Sequence, residues 1–345
     1  MRARRKPYRE ERCPETDLAY TRFWKILSHL LEVHDLGVEY ALAAGKAGVA
    51  VRDVSFHLNA GRITGMLGES GCGKSSTALA IIGMLPENAS LSGSVRLDGH
   101  EMAGRSEREW RNIRGSEIGW IPQESLVNLN PVLRAETQVA EVLRAQTQRS
   151  DCLPRARAAL SRVGLSADAF LAYPHQLSGG ERQRVLIAQA IVCGPRVILA
   201  DEPTASLDAA GRADVLGTLA RIVNETHAAL LLISHEPGVL ADYAEQVMVM
   251  YAGRIVEEGR AAEILNAPLH PWTAALMRCR IPNGAGSTRQ PLPVIPGSAP
   301  RLLSKACGCA FEPRCSDRNE RCGQSAPSLS GRKGRQVACF VHELK

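Results

Sequence analysis

Residues 68–75 constrain the fold of this chain more than any other stretch, because they read G-x-x-x-x-G-K-S. The short apolar run at 62–67 before them is typical of a buried strand, and residues 76–85 after them favour a helix that ends before Pro86. Glycines between a strand and a helix let backbone N–H groups approach a polyphosphate at the positive end of the helix. The pattern therefore predicts a phosphate-binding loop in an α/β fold, and the alternative is a chance glycine-rich turn.

Three side chains of this loop have individual interpretations. Lys74 is expected to reach the β- and γ-phosphates of a bound nucleotide, and the Ser75 hydroxyl is expected to bind Mg²⁺. Cys72 is interpreted as a small filler side chain, although a thiol here can make nucleotide binding sensitive to thiol reagents.

Charge and composition limit the classes of protein. With 345 residues, 45% of them hydrophobic, the chain is expected to form two or three domains with a sizeable core. Residues 1–12 hold six basic and two acidic side chains and residues 301–345 hold nine and four, so the net charge of +6 sits in the two ends. Basic ends support nucleic-acid binding only weakly; solvated tails or contact with anionic lipid headgroups are the alternatives. No run approaches the roughly 18 apolar residues that span a bilayer, and no secretory signal is expected.

Residues 1–33 are predicted to form an N-terminal extension. The apolar side chains that can form one face of a short helix there are Leu18, Trp24, Leu27, Leu30 and Leu31. The segment is interpreted as a poorly ordered extension or a helix on the first domain, and the alternative is a helix that docks to a membrane surface or a partner.

Alternating apolar residues predict strands over 34–67 and 93–121, whereas residues 124–177 are rich in alanine, arginine and leucine at helical spacing. This order indicates a helical insertion in a strand-based core. Tyr40, on the first predicted strand, is a candidate for stacking on a nucleotide base, although a lone aromatic residue on a strand is usually part of the core.

Polar residues follow later elements at positions where ligands commonly bind. Residues 178–180, a serine and two glycines, begin a predicted helix, and the exposed N–H groups of that helix start again favour an anion. An apolar strand then delivers Asp201 and Glu202 at its carboxyl end, which is where open α/β sheets bind ligands. The next apolar strand presents His235, for which a capped strand end is the alternative interpretation.

The combination and order of these motifs resemble the ATP-binding cassette family over roughly residues 34–260. The segments that carry the resemblance are residues 68–75, Gln123, residues 177–183, residues 201–202, residues 206–208 and His235. Residues 129–131, 270–273 and 308–315 are similar to the oligopeptide/dipeptide importer branch. The resemblance implies an α/β P-loop NTPase (RecA-like) core with an antiparallel β subdomain and a helical insertion, plus a small cysteine-rich C-terminal domain. The implied divisions are 1–33 (extension), 34–265 (nucleotide-binding domain, helical subdomain about 124–192) and 266–345 (C-terminal domain).

The resemblance also implies ATP and Mg²⁺ as ligands and gives catalytic roles to Lys74, Gln123, Glu202 and His235. Glu202 is the expected general base for the attacking water, and His235 is expected to contact the γ-phosphate and orient that water. Ser75 and Gln123 are the expected Mg²⁺ ligands, with Asp201 holding a metal-bound water. The residues expected to contact ATP or its metal are Tyr40, Gly68, Glu69, Ser70, Gly71, Cys72, Gly73, Lys74, Ser75, Ser76, Gln123, Ser178, Gly179, Gly180, Asp201 and Asp208.

The implied partners begin with a second ATPase subunit. Residues 178–180 are expected to bind the γ-phosphate of ATP held by the P-loop of the opposite subunit, and a related second chain is favoured over a second copy. Two transmembrane permease subunits and, indirectly, a solute-binding protein complete the expected assembly. The resemblance also implies that the chain lies at the cytoplasmic face of the inner membrane as a peripheral protein. No nucleic-acid partner is expected.

The implied function is ATP-driven import of peptides or related small solutes. The alternative is a DNA-maintenance or repair ATPase with the same motifs. Such chains usually separate the two motifs by long coiled coils, whereas Lys74 and Ser178 lie 104 positions apart here without sustained heptads.

Four cysteines near the C-terminus are candidate ligands of a metal centre: Cys309, Cys315, Cys322 and Cys339. Four thiolates can hold Zn²⁺ or an iron–sulfur cluster, and this spacing alone does not specify which. The resemblance implies a [4Fe–4S] cluster, and the alternatives are Zn²⁺ or free buried thiols. A disulfide framework is not expected in a chain without a secretory signal.

Overall fold

A computed structural model gives the structure of this chain, and it describes residues 29–42, 47–147, 150–279, 294–298, 300, 308–332 and 334–342. Most of the apolar helix face predicted for the N-terminal extension lies outside the described residues. Leu31, which was included in that face, instead begins a β-strand and is fully buried. Its apolar side chain therefore belongs to a sheet rather than to the predicted helix.

The smaller of two sheets is antiparallel, with the strand order β2–β1–β4–β5. Its strands are β1 (Leu31–Ala41), β2 (Ala47–Leu58), β4 (Ala89–Leu97) and β5 (His100–Glu101). Along β1, the side chains of Leu31, Val33, Leu36 and Val38 are completely buried while their neighbours are partly or largely exposed. One face of this sheet thus packs on the core and the other meets solvent, as the alternating pattern predicts.

The larger sheet has eight strands in the order β11–β12–β10–β9–β3–β8–β7–β6. Its strands are β3 (Ile63–Leu67), β6 (Ile118–Ile121), β7 (Val197–Asp201), β8 (Ala229–Ser234), β9 (Gln246–Tyr251), β10 (Arg254–Arg260), β11 (Ser330–Arg332) and β12 (Arg335–Val337). The five strands from β9 to β6 are parallel, and every residue of β3, β7 and β8 is buried. Because their carboxyl ends share one edge, the residues that follow β3, β7 and β8 meet there.

The helices connect and flank these strands. Their bounds are α1 (Lys74–Ile81), α2 (Glu107–Ile113), α3 (Ser125–Asn128), α4 (Ala135–Gln146), α5 (Cys152–Arg162), α6 (Ala167–Leu171), α7 (Gly179–Ile191), α8 (Ala209–Thr226), α9 (Pro237–Tyr243), α10 (Ala261–Asn266), α11 (Pro271–Arg278) and α12 (Glu320–Gln324). The helix predicted at 76–85 begins two residues earlier and ends sooner, because Gly83 has a left-handed φ of 62° that leaves the helical path.

Helices α3 to α7 lie between β6 and β7, where a helical insertion was predicted. Val139 and Leu143 of α4 share one hydrophobic cluster with Leu160 of α5 and Val185 of α7, and all four side chains are fully buried. Ala156 and Ala188 in the same cluster let these helices approach closely, so the insertion packs as a unit on the parallel sheet.

The described part of residues 266–345 packs directly on the larger sheet. Strand β12 pairs with β10, and β11 pairs with β12. Trp272 and Phe311 pack on Tyr251 of β9, with ring centroids 4.8 and 5.3 Å from the tyrosine ring. This region shares a sheet with β3, so a separate cysteine-rich domain stays a prediction. Among the described residues, none of the helices combines the length and the apolar character needed to cross a bilayer.

Candidate active site

The phosphate-binding loop connects β3 to α1 at the carboxyl edge of the larger sheet. Gly73 has a φ of 109°, and a Cβ atom at this position would lie 2.4 Å from the backbone oxygen of Ala50. Only glycine meets both conditions without strain. The next residues, Lys74 and Ser75, form the first turn of α1, which places backbone N–H groups and the positive end of the helix at the loop.

Lys74 lies inside this loop with only 5% of its surface exposed. Its Nζ donates hydrogen bonds to the backbone oxygens of Gly68 and Glu69, at 2.9 and 3.0 Å. The same ammonium group is 3.8 Å from Oε1 of Glu202. The lysine charge is therefore held within the loop and next to the carboxylate that ends β7.

Glu202 is the point at which the four predicted catalytic residues meet. Gln123 Nε2 donates to its Oε2 at 3.2 Å, and Nδ1 of His235 is 3.0 Å from the same oxygen. The Glu202 backbone has a left-handed φ of 46°, and its N–H donates to the backbone oxygen of Ile233 at 3.0 Å. This uncommon conformation for a non-glycine residue is held by β8 and aims the carboxylate across the sheet edge.

Asp201 and Ser75 form a pair of oxygen donors that suits Mg²⁺. Asp201 is 4% exposed, and its Oδ1 has no hydrogen-bond partner. Burial raises the pKa of this carboxyl group, against the opposing effect of a hydrogen bond with Ser75. A buried carboxylate oxygen without a partner, beside a hydroxyl, fits a hard cation that prefers oxygen ligands. When bound, Mg²⁺ supplies neutralisation of charge on the phosphate oxygens.

Tyr40 reaches the same region from the smaller sheet. Its hydroxyl lies 3.0 Å from Oγ of Ser76 in the first turn of α1, and its ring is half-buried. The structure thus places this aromatic ring beside the phosphate-binding loop, and its stacking on a base stays a prediction.

Ser178 and the two glycines after it form a second site. The Ser178 Oγ accepts a hydrogen bond from the Glu181 N–H at 3.2 Å, and the Glu181 carboxylate accepts from the Ser178 N–H at 2.8 Å. This capping box fixes the start of α7, and the same hydrogen bonds lower the pKa of the Glu181 carboxyl group. Gly179 and Gly180, between the two residues of this capping box, line the surface at this site.

A cavity of about 660 Å³ lies at this second site, with Ser206, Leu207 and Asp208 on its other side. Asp208 caps α8 through a 2.9 Å hydrogen bond from the Gly211 N–H. The described residues that line the cavity do not include the phosphate-binding loop. Within one chain, the structure therefore brings the loop together with Tyr40, Gln123, Asp201, Glu202 and His235. It leaves Ser178, Gly179, Gly180 and Asp208 in a separate group.

The remaining predicted contacts belong to the loop itself. Ser70 and Gly71 are exposed, whereas Gly68 and Cys72 are buried. Burial raises the pKa of the Cys72 thiol, which keeps it protonated and suits a filler side chain.

Sequence reasoning missed the contact that Arg314 makes with this loop. Its Nη1 lies 3.3 Å from Oε1 of Glu69, which is 245 positions earlier in the chain. Residue spacing contains no signal for a pair this far apart. The short motif between Cys309 and Cys315 was the only sequence feature that singled out Arg314.

The four C-terminal cysteines lie close enough to influence one another. Cys309 interacts electrostatically with Cys322 and Cys339, and Cys315 with Cys309 and Cys339. Burial raises the pKa of the Cys309 and Cys315 thiols. In the described part of the chain, no group of three or more His, Cys, Asp or Glu side chains is arranged to hold a single metal ion.

A phosphate-binding loop, a paired aspartate and glutamate and a histidine at one sheet edge define a P-loop ATPase. Comparison with known families makes this specific. The model of the ABC transporter family matches residues 51–205, and that of the oligopeptide/dipeptide transporter C-terminal region matches residues 256–322. This chain belongs to the ABC transporter family.

Individual relatives match most of the chain. The oligopeptide transport ATP-binding protein OppD of Salmonella typhimurium is 38% identical over 91% of this chain and 95% of its own length. The oligopeptide transport ATP-binding protein AppD of Bacillus subtilis is 38% identical over 92% of this chain and 98% of its own length. The sequence-based resemblance to the peptide-importer branch is thereby confirmed.

Solved structures of ATP-binding cassettes share the fold. The dimeric cassette MJ0796, in a post-hydrolysis state bound to ADP and Pi, has a TM-score of 0.61 and 25% identity over 67% of this chain and 98% of that one. CbiO1 from Clostridium perfringens has a TM-score of 0.60 and 27% identity over 69% of this chain and 91% of that one. The predicted P-loop fold class and the assignment as an ATP-hydrolysing enzyme are confirmed.

Proposed function

We propose that this chain hydrolyses ATP to power the import of peptides, or related small solutes, through a membrane ABC transporter. The observation that carries the proposal is the match to oligopeptide transport ATP-binding proteins over nine-tenths of the chain, including the C-terminal region at 256–322. A DNA-maintenance ATPase is disfavoured, since the described helices between Lys74 and Ser178 are short and the longest of them, Ala135–Gln146, has 12 residues.

The proposed chemistry assigns each side chain of the site a task. Glu202 polarises the attacking water, and His235 orients that water and contacts the γ-phosphate. Before nucleotide binds, the contacts of His235 and Gln123 with Oε2 hold the Glu202 carboxylate in place. Lys74 and the N–H groups of α1 stabilise the charge that develops on the γ-phosphate. Ser75, Gln123 and Asp201 would hold Mg²⁺, and the partnerless Asp201 oxygen supports this assignment.

A second ATPase subunit is the first proposed partner. The separation of the Ser178 cavity from the phosphate-binding loop supports a site completed by another chain, whose loop would face Gly179 and Gly180. A different, related chain is preferred over a second copy, in keeping with the sequence-based expectation. The solved MJ0796 cassette is itself described as dimeric.

Two permease subunits and a solute-binding protein are the other proposed partners. Val127 and Val132 expose 76% and 74% of their surfaces just after Gln123. Such apolar side chains on the helical insertion suit a short helix from a permease. The chain would then lie at the cytoplasmic face of the inner membrane as a peripheral subunit. The proposed divisions remain 1–33, 34–265 and 266–345, except that residues 31–33 belong to β1 and so to the second of them.

We further propose that Cys309, Cys315, Cys322 and Cys339 hold a [4Fe–4S] cluster rather than Zn²⁺. The proposal follows the sequence-based resemblance and the proximity of these cysteines, and a four-iron cluster would take its thiolates at separate irons instead of gathering them at one ion. Protein purified without oxygen is expected to contain about four irons and four sulfides per chain. Cys315→Ser is expected to lower the iron and the sulfide content. Cys193→Ser, the control, is expected to lower neither. Stoichiometric zinc, or no metal at all, would contradict the proposal.

Reconstitution tests the transport function. The chain would be combined in vesicles with two permeases, a partner ATPase and a binding protein of the peptide-importer type, and ATP hydrolysis and uptake of labelled peptides would be measured. Hydrolysis is expected to rise with loaded binding protein and to drive uptake. A rate of ATP hydrolysis that responds to DNA and not to loaded binding protein would overturn the proposed transport function but leave the ATPase assignment intact.

A further inference from the structure

Arg314 joins the C-terminal region to the phosphate-binding loop through a largely buried ion pair. Its Nη1 lies 3.3 Å from Oε1 of Glu69, and the two side chains are 8% and 27% exposed. Ion pairs shielded from water are screened less by salt than those on the surface. The ion pair can therefore stabilise one conformation of the phosphate-binding loop.

The rest of the structure holds the Arg314 guanidinium in one place. Its Nε donates to the backbone oxygen of Pro296 at 2.9 Å, and its Nη1 lies 3.3 Å from the Tyr251 hydroxyl. The guanidinium carbon also lies 5.4 Å from the ring centroid of Trp272. A planar cation already fixed by stacking and hydrogen bonds loses little freedom when it pairs with a carboxylate.

Glu69 is the second residue of the phosphate-binding loop, and its backbone also takes part in the site. Its carbonyl oxygen accepts hydrogen bonds from Lys74 Nζ at 3.0 Å and from the Cys72 N–H at 3.3 Å. Its carboxylate carries a negative charge on a loop that must bind a polyphosphate. Without a cation beside it, this charge would oppose the phosphates.

We infer that Arg314 is a positioning residue of the nucleotide site. It neutralises the Glu69 carboxylate and fixes the first half of the loop, so that the segment at 308–315 sets the affinity of the chain for ATP. The inference requires ATP binding by this chain but depends neither on the transported solute nor on a metal at the cysteines.

A double-mutant cycle in the full-length chain tests this role. We would measure the Kd of ATP in a Glu202→Gln background, and the KM and kcat of MgATP in the otherwise unchanged enzyme. Arg314→Met is expected to weaken ATP binding and raise KM about three- to tenfold while kcat changes less than about twofold. Glu69→Gln combined with Arg314→Met is expected to restore most of the affinity, because the repelling charge is gone.

Arg318→Met is the matched control, since Arg318 pairs with Glu312 in the same region at 3.8 Å and is 56% exposed. It should leave KM unchanged. An Arg314→Met variant with unchanged KM would overturn the inference, as would a loss of affinity that Glu69→Gln does not relieve. If Arg314→Met does not fold, Arg314→Gln, which also removes the charge but keeps a hydrogen-bond donor, provides the same cycle with and without Glu69→Gln. Additive effects of the two substitutions on ATP affinity would also overturn the inference. If the chain without substitutions hydrolyses no ATP, the enzyme assignment itself is refuted.

Discussion

At the scale of single residues, the Glu202 carboxylate shows how the site is organised. Gln123 and His235 both contact Oε2, and Lys74 lies near Oε1, so three elements determine the orientation of one side chain. The strained backbone of Glu202 is part of the same arrangement. A residue held this firmly is suited to position a water molecule for attack.

Replacing Glu202 by Gln is expected to preserve ATP binding and to reduce hydrolysis by about 10²- to 10⁴-fold. The amide keeps the shape of the side chain but cannot accept a proton. Nucleotide affinity and phosphate release would be measured side by side. Glu245→Gln serves as a control, because that carboxylate pairs with Arg62 on the surface. Undiminished hydrolysis in Glu202→Gln would refute the assigned base.

At the scale of elements, His270 determines how α11 begins. Its Nδ1 accepts a 3.0 Å hydrogen bond from the Trp272 N–H, and the residue is 2% exposed. Burial lowers the pKa of its imidazole from 6.5 to about 3; the nearby His342 acts in the same direction, and a hydrogen bond with Ala338 opposes it. The fully buried Glu257, paired with Arg335, accepts from the His270 backbone N–H.

Stability is therefore expected to fall as the pH drops below 6.5. The unfolded chain binds a proton at His270 that the folded chain excludes until about pH 3, so the loss reaches roughly 2 kcal/mol by pH 5. Urea unfolding at several pH values would measure how the free energy of unfolding depends on pH. His270→Asn, which keeps a helix-capping acceptor, should flatten this dependence, whereas His227→Asn, at an exposed helix end, should not. An unchanged slope in His270→Asn would assign the pH dependence to other groups.

Elements and site differ in how far they could be predicted. The loop at 68–75, its flanking strand and helix and the helical insertion follow from local patterns, since each depends on neighbours in sequence. The pairing of β12 with β10 and the contact between Arg314 and Glu69 depend on residues 78 or more positions apart. Such contacts are decided by the packing of the whole chain, for which a single sequence has no periodic signal.

At the scale of the whole molecule, the site is divided between two surfaces. The phosphate-binding loop collects one set of groups, and the start of α7 presents another around a separate cavity. Under the proposed function, a second chain would complete this site, with two nucleotides held between the two chains.

ATP is accordingly expected to join the Glu202→Gln chain to its partner ATPase. Light scattering coupled to size-exclusion chromatography should show the summed mass with ATP and the separate masses without it. Gly180→Asp is the control variant and should not form the pair: a Cβ atom there meets open space, so the fold is preserved, while the new carboxylate repels the phosphates. Failure of the pair to form with ATP, under conditions that block turnover, would contradict the composite site.

The pairing of β12 with β10 has a practical consequence for handling the protein. Glu257 and Glu258 face Val337 and Gln336 in this antiparallel ladder, and β11 then protects β12. A chain shortened before residue 330 would leave the backbone of Arg254–Arg260 without its outer neighbour, as a bare template for strands of other molecules. Preparations trimmed at that end are thus expected to aggregate.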